Sequence, residues 1–331
     1  MLFHPTIAIT SGDPCGVGPE IVLKVLARVP ANSRARFIVI GDLAVFQQTA
    51  RRLRRRLPSW SLVRPQQHWH ASQTRVTFFD CGHSGTFRPG GSSARSGQAS
   101  LDYVDRALAL WKTGQIDGLV TAPVTKWAIA RARPGFTGHT EYLARAMDVR
   151  DVVMMFVSDR LRIALLSRHI PVSRVSHTMT PRLVRTTLRL THNALRRSFK
   201  IRQPRLAVCG LNPHAGEEAR CGQEEQTILR PVLRQLRRNG IRCDGPFAAD
   251  GFFASTHRYD AVICAYHDQG LIPFKMVARD QGCQLSVGLP IVRTSPDHGS
   301  ALDIAGRGVA NPGSMIYALQ LAIRLAHQSQ K

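Results

Sequence analysis

Ala261-Val-Ile-Cys-Ala-Tyr-His-Asp-Gln-Gly-Leu271 decides the fold. A short run of small and branched apolar residues, bounded by polar ones, suits a strand buried on both faces of a parallel sheet. It ends abruptly in Tyr266-His267-Asp268-Gln269-Gly270. In open α/β sheets, ligands sit beyond the carboxyl ends of the strands, so these polar residues are candidates for a site. Two other segments have the same form. Arg205-Leu-Ala-Val-Cys-Gly-Leu-Asn212 runs into Pro213-His214-Ala215, and Arg162-Ile-Ala-Leu-Leu-Ser-Arg168 runs into His169-Ile170-Pro171. Each apolar run delivers one histidine. Imidazole is a common ligand for first-row metals, and three of them leave coordination positions open for a substrate. The reading is a divalent cation held by His169, His214 and His267. A histidine at a strand end also serves as an ordinary hydrogen-bonded residue, and none of the spacings is a local metal signature.

Working outward, Ile7 to Thr10 and Phe37 to Gly41 read as buried strands, as do Gly118 to Thr121, Asp151 to Val157 and Leu285 to Leu289. Helical spacing marks Ile21 to Val29, Ala50 to Leu57, Val104 to Trp111, Thr180 to Leu195, Ile228 to Gly240 and Gly313 to Ala326. Strands alternating with helices give an α/β fold. Ser11-Gly-Asp-Pro-Cys-Gly-Val-Gly-Pro-Glu20, between a strand and a helix, has the layout of a phosphate cradle. Its glycines fit neither the dinucleotide fingerprint nor a P-loop, which disfavours both folds. Thr121 to Lys126 leaves its strand at the carboxyl end, and Phe136 to Glu141 is a polar loop with hydroxyl and imidazole groups suited to a small polar ligand, although Thr140 also fits a capping role. Small residues packed densely from Asp297 to Gly308 let backbone amides approach a planar or phosphorylated ligand.

The 331 residues suffice for two lobes with full cores. No run approaches transmembrane length. The N-terminus lacks a signal-peptide pattern, and the seven cysteines are scattered without a Cys-x-x-Cys pair, so a cytoplasmic protein with reduced thiols is expected. A net charge of +23 raises nucleic acid as a partner. Much of the excess arginine alternates with core positions in helices, which reads as a solvated face, and no recognised nucleic-acid motif is present. That reading is set aside. A metal-dependent lyase or hydrolase without nicotinamide is a further alternative.

Gly12-Asp-Pro-Cys-Gly-Val-Gly-Pro-Glu20, Thr121-Ala-Pro123, Gly138-His-Thr-Glu141, Asn212-Pro-His-Ala-Gly-Glu217, Tyr266-His-Asp-Gln-Gly270 and Asp297-His-Gly-Ser-Ala301 together resemble the PdxA family, the 4-hydroxythreonine-4-phosphate dehydrogenases of pyridoxal phosphate biosynthesis. The last block, with Asp303-Ile-Ala-Gly306, also resembles the cofactor loop of isocitrate and isopropylmalate dehydrogenases. The resemblance implies a two-lobed, three-layer α/β/α fold, with residues 1–135 and 285–331 forming a cofactor-side lobe. Residues 136–284 would form a lobe for metal binding and dimerisation. A cleft between the lobes, and a homodimer that completes each metal site across subunits, are also implied.

The same three histidines map onto the family's metal ligands, with zinc, magnesium or cobalt as the ion. Substrate contacts map onto His139, Thr140, Lys275, Gln284 (where the family pattern has asparagine) and Arg293. Lys275, Asp268 and Asp250 are the candidate catalytic groups. NAD or NADP contacts map onto Gly288, Asp297, His298, Gly299, Ala301 and Asp303. The implied reaction is oxidation of a small phosphorylated substrate, 4-phosphooxy-L-threonine, followed by decarboxylation. PdxA-like paralogues acting on 4-phosphothreonate-type sugar acids or cis-dihydrodiol carboxylates are the alternative.

Overall fold

A computed structural model describes residues 3–29, 33–65, 67, 74–83 and 86–329, the side chains of residues 255–257 and 329 excepted. The chain runs β1 (Thr6–Thr10), α1 (Gly18–Leu26), β2 (Arg36–Gly41), α2 (Leu43–Arg52), β3 (Ser61–Val63), β4 (Val76–Asp80), α3 (Ala94–Lys112), β5 (Gly118–Thr121), α4 (Lys126–Ala132) and α5 (His139–Ala146). It continues through β6 (Val153–Ser158), β7 (Arg162–Leu165), α6 (Val175–Thr178), α7 (Pro181–Arg197), β8 (Arg205–Cys209), α8 (Arg230–Arg238), β9 (Arg242–Phe247), α9 (Ala249–Phe252), β10 (Ala261–Cys264), α10 (His267–Ala278) and β11 (Gly282–Val287). It closes with β12 (Val292–Pro296) and α11 (Gly313–Ser329).

Two compact units result, one of Met1–Met147 with Pro290–Lys331, the other of Asp148–Leu289. The segment 136–147, with α5, therefore lies in the first unit. Its strands run in the order β3-β4-β2-β1-β5-β12, all parallel. In the second unit the order is β11-β6-β7-β10-β8-β9, with β6 antiparallel to both neighbours and the others parallel. The mixed α/β class matches the alternation read from the sequence. Among the described residues, no helix is long and apolar enough to cross a membrane.

Local chemistry moves several element ends. The arginine-rich helix stops at Arg52 rather than Leu57, because Arg54 enters the left-handed region at φ 50° and turns the chain. Helix α3 starts at Ala94, well ahead of the helical spacing read from Val104, since Ser93 and Ser96 cap it reciprocally. The turn at 12–18 is not a phosphate cradle. Its amides are used within the protein: Gly16 N–H donates to the Asp13 carbonyl and Val17 N–H to the Ser300 carbonyl, both at 2.9 Å.

The carboxylate of Asp42, just before α2, collects His83 Nδ1 at 3.0 Å and the Tyr103 hydroxyl at 2.6 Å, while His83 Nε2 meets Asp102 at 2.8 Å. The hydrogen bond to Asp42, then that to Asp102, outweighs desolvation and raises the His83 pKa to about 9. The folded pKa thus exceeds the unfolded value near 6.5, so this stabilisation is complete below about pH 6.5 and fades as pH climbs through about 9. Thermal melts of the parent and His83→Gln are expected to differ most at pH 6 and to converge by about pH 10. A gap independent of pH would contradict the pairing.

Candidate active site

In the second unit, β10 pairs with β7 on one side and β8 on the other, both in parallel. The three histidine-bearing runs are therefore adjacent strands, with His169, His214 and His267 each leaving the carboxyl edge. Cross-links hold these exits together. Ser167 donates from both its N–H and its hydroxyl to the Ala265 carbonyl, at 3.0 and 2.7 Å, joining the ends of β7 and β10. Gln269 accepts from Ala265 N–H at 2.7 Å and donates to the Gly210 carbonyl at 2.6 Å, joining β10 to β8.

Helix α10 buries Gly270, Leu271, Phe274 and Ala278 at helical spacing. Phe274 is fully buried against Phe156, with ring centres 5.6 Å apart, and burial of such a ring contributes about 2–3 kcal/mol. Gly270 permits the close approach, for a Cβ there would meet the Ile163 side chain at 2.7 Å. His267 opens the helix four positions before Leu271, on the same face, directly after the strand ends.

The rings of His169 and His267 lie 5.9 Å apart, centre to centre. Two imidazoles bound to one tetrahedral ion at about 2.0–2.1 Å would have centres roughly 5 Å apart, a little less than the separation seen here. His267 Nδ1 meets Asp268 Oδ1 at 2.7 Å. A carboxylate there accepts a hydrogen bond from Nδ1–H, which holds the proton on that nitrogen and leaves the Nε2 lone pair for a metal. As the side chains stand, no three His, Cys, Asp or Glu among the described residues form a group that could hold an ion. The His169–His267 pair offers two imidazoles of the donor type a divalent cation takes, and the exposed His214 would have to turn inward to add a third.

His214 sits in a short segment, Pro213–Ala219, in which His214 through Glu218 all have positive φ. Left-handed residues cost about 1–2 kcal/mol each, so something must enforce the turn. That group is Glu225, which the sequence reading missed. Its fully buried carboxylate accepts from Leu211 N–H at 2.7 Å and from the Asn212 backbone and side-chain N–H groups, both at 2.9 Å. Glu225→Ala would leave those donors unpaired at about 1–3 kcal/mol each. The expected result is a melting temperature lowered by several degrees and faster proteolysis within residues 213–220; an unchanged cleavage pattern would count against this role.

The other second-unit candidates are more scattered. Asp250 is exposed on α9, which packs against the His214 turn. Lys275 is exposed, eight residues along α10 from His267, about 12 Å by helical rise. Gln284 is buried in mid-β11 and donates to Ser286 Oγ at 3.1 Å. Gly288 has φ 108°, and a Cβ there would meet the Asp151 carbonyl at 2.7 Å, so its turn alone demands glycine.

In the first unit, Arg293 on β12 is 3% exposed. Its Nη2 donates to Thr121 Oγ1 at 2.5 Å and reaches His139 Nδ1 at 3.4 Å, while Nη1 reaches Thr140 Oγ1 at 3.4 Å. A guanidinium can only donate, so Nδ1 accepts and the His139 proton sits on Nε2. That Nε2 is buried with no hydrogen-bond partner. Burial first, then the charges of Arg293 and Lys126, lowers the His139 pKa to about 3 and keeps the ring neutral. The result is a neutral donor close to the charges of Arg293 and Lys126, a set of groups that suits an anionic, oxygen-rich ligand. Lys126, whose own pKa is lowered by desolvation, was not singled out in the sequence. Its position gave a signal: a cation at the first residue of a helix opposes the helix dipole and needs another reason to be there.

The cofactor candidates in this unit form a loop tied down at both ends. Asp297 N–H donates to Ser314 Oγ at 3.0 Å. Glu20, 2% exposed, accepts from Gly308 and Ala310 N–H, and Lys24 Nζ donates to both carbonyls. Ala301 takes φ 43°, a Cβ on Gly299 would meet nothing, and Asp303 is exposed. His298 Nε2 is buried without a partner. Open backbone beside an orphaned ring nitrogen fits a ligand with its own polar groups.

Residues 33–322 match the family model for the pyridoxal phosphate biosynthetic protein PdxA. The 4-hydroxythreonine-4-phosphate dehydrogenase of Desulforapulum autotrophicum is 39% identical over 323 residues, covering 96% of this chain and 95% of that protein. The crystal structure of the Klebsiella pneumoniae enzyme of the same name is similar with a TM-score of 0.82 and 34% identity, over 97% of this chain and 99% of that one. A terephthalate 1,2-cis-dihydrodiol dehydrogenase from Burkholderia xenovorans is similar with a TM-score of 0.65 and 30% identity, over 97% and 98% of the two chains. With strand-end histidines, a buried arginine beside His139 and full-length similarity in agreement, the chain belongs to the PdxA family.

Proposed function

We propose that the protein oxidises 4-phosphooxy-L-threonine at its C3 hydroxyl with NAD or NADP and decarboxylates the resulting β-keto acid, giving 3-amino-2-oxopropyl phosphate, carbon dioxide and NAD(P)H in pyridoxal phosphate biosynthesis. The observation that carries this reading is the arrangement of β7, β10 and β8 as adjacent parallel strands whose carboxyl ends carry His169, His267 and His214.

His169, His214 and His267 would hold the divalent cation, whose charge, when bound, favours negative charge on substrate oxygen. Asp268 fixes the tautomer of His267. Arg293 and Lys126 bind the substrate's anionic groups, and His139 donates from Nε2 to a substrate oxygen. Low pKa keeps His139 in that donor form across the working range. The loop at Asp297, His298, Gly299, Ala301 and Asp303 would hold the nicotinamide cofactor, which accepts the hydride.

The same reading makes the protein a homodimer, with Lys275 serving an active site across the interface. It is supported by the exposed apolar row on α10, where Ile272 and Met276 are 60% and 75% exposed one turn apart. The test is NAD(P)H formation with 4-phosphooxy-L-threonine, 4-phospho-D-erythronate and terephthalate cis-dihydrodiol in parallel. Turnover is expected with the first; turnover with only another would overturn the substrate.

A further inference from the structure

We propose that α7 and α8 form a docking face for the phosphodiester backbone of duplex nucleic acid. Helix α7 carries five arginines and α8 four, and neither contains an Asp or Glu. At 100° per residue, Arg182, Arg185, Arg189 and Arg196 fall within about 60° of one another on α7, in a row about 21 Å long. Arg234 and Arg237 fall within about 60° on α8. The helices pack together, and Arg185 donates twice to Gln235 of α8, at 3.1 and 2.9 Å, so the α7 row lies on the side next to α8, while Arg234 and Arg237 stand about 100° and 160° round α8 from Gln235. Arg182 pairs with Asp151 and Arg230 with Glu218. Arg189, Arg196, Arg234 and Arg237 are exposed and have no carboxylate partner among the described residues. In the sequence these arginines look dispersed along two amphipathic helices, and the packing sets those two helices side by side.

A single-sign face repels itself and disfavours the folded state, so it calls for an external anion. The kind of anion follows from what else the face offers. None of the strongly exposed large hydrophobic residues lies on α7 or α8. A membrane-surface helix needs an apolar side to insert, a protein partner needs an apolar interface core, and single-stranded nucleic acid needs aromatic platforms. Arginine forks with neither apolar nor aromatic neighbours suit a dense array of backbone phosphates, which guanidinium groups grip in pairs of hydrogen bonds. Such contacts carry no sequence preference.

The test is fluorescence anisotropy of the full chain with labelled random-sequence duplex DNA and duplex RNA of about 20 base pairs over a KCl series. Four to six phosphate contacts at about 0.9 each give a log–log salt slope of roughly −4 to −5. The quadruple variant Arg189→Gln, Arg196→Gln, Arg234→Gln, Arg237→Gln should lose about 3 to 4 of that slope and at least tenfold in affinity at low salt, with its thermal midpoint kept. A control with Arg28, Arg51, Arg55 and Arg56 changed to Gln should bind within about twofold of the parent. Preference for one duplex type identifies the source of the phosphates. Equal binding by parent and quadruple variant, or binding to anionic phosphatidylserine vesicles or polyglutamate but to neither duplex, would overturn the proposal.

Discussion

His267→Ala is expected to abolish cation binding and turnover together. Cation stoichiometry should fall from near one per chain to a small fraction, and kcat/KM by roughly a thousandfold, given the several kcal/mol that a Lewis acid contributes. His169→Ala and His214→Ala should follow. Asp268→Asn should act more gently: the neutral amide is a weaker acceptor for Nδ1–H than the carboxylate, and cation affinity should drop about 10–100-fold. Inductively coupled plasma mass spectrometry after dialysis, paired with steady-state kinetics, reads both quantities. A His267→Ala protein that keeps its cation and loses only activity would confine the histidine to a proton-transfer role.

Arg293→Ala carries the second large effect. Hydrogen bonds to charged groups are worth about 1.5–3 kcal/mol, and a guanidinium offers two in parallel. The expected loss in kcat/KM is therefore roughly 10²–10⁴-fold, expressed chiefly as a raised KM, with NAD(P) affinity nearly unchanged. Arg293→Lys retains a charge but loses the planar fork and the bond to Thr121, so it should recover only part of the loss. Isothermal titration with cofactor alone separates the outcomes: an equal fall in cofactor and substrate affinity would contradict the assignment of Arg293 to the substrate.

The contrast between these residues shows what a sequence can carry. The strand-end histidines were legible because a buried parallel strand has a plain apolar signature and its polar exit is conspicuous. Their adjacency was not, for strand order depends on tertiary pairing, and β7, β10 and β8 are far apart in the chain. Glu225 escaped notice because nothing local distinguishes it from Glu224 beside it or from Glu217 and Glu218; only burial under the His214 turn does. Gln269 was read as part of a motif, yet its work is to bridge two strand ends. The helix end at Arg52 was missed because helical spacing continues to Leu57 while the backbone reverses at Arg54. Arg293 was found by family resemblance, and its pairing with the orphaned His139 ring emerged only from side-chain geometry.

The most direct measurement is an anomalous-scattering map from crystals grown with zinc, cobalt or manganese. One peak about 2.0–2.2 Å from imidazole nitrogens of His169, His214 and His267 is the predicted result. Separate peaks, or a single ion bound away from these rings while the enzyme turns over, would contradict the account.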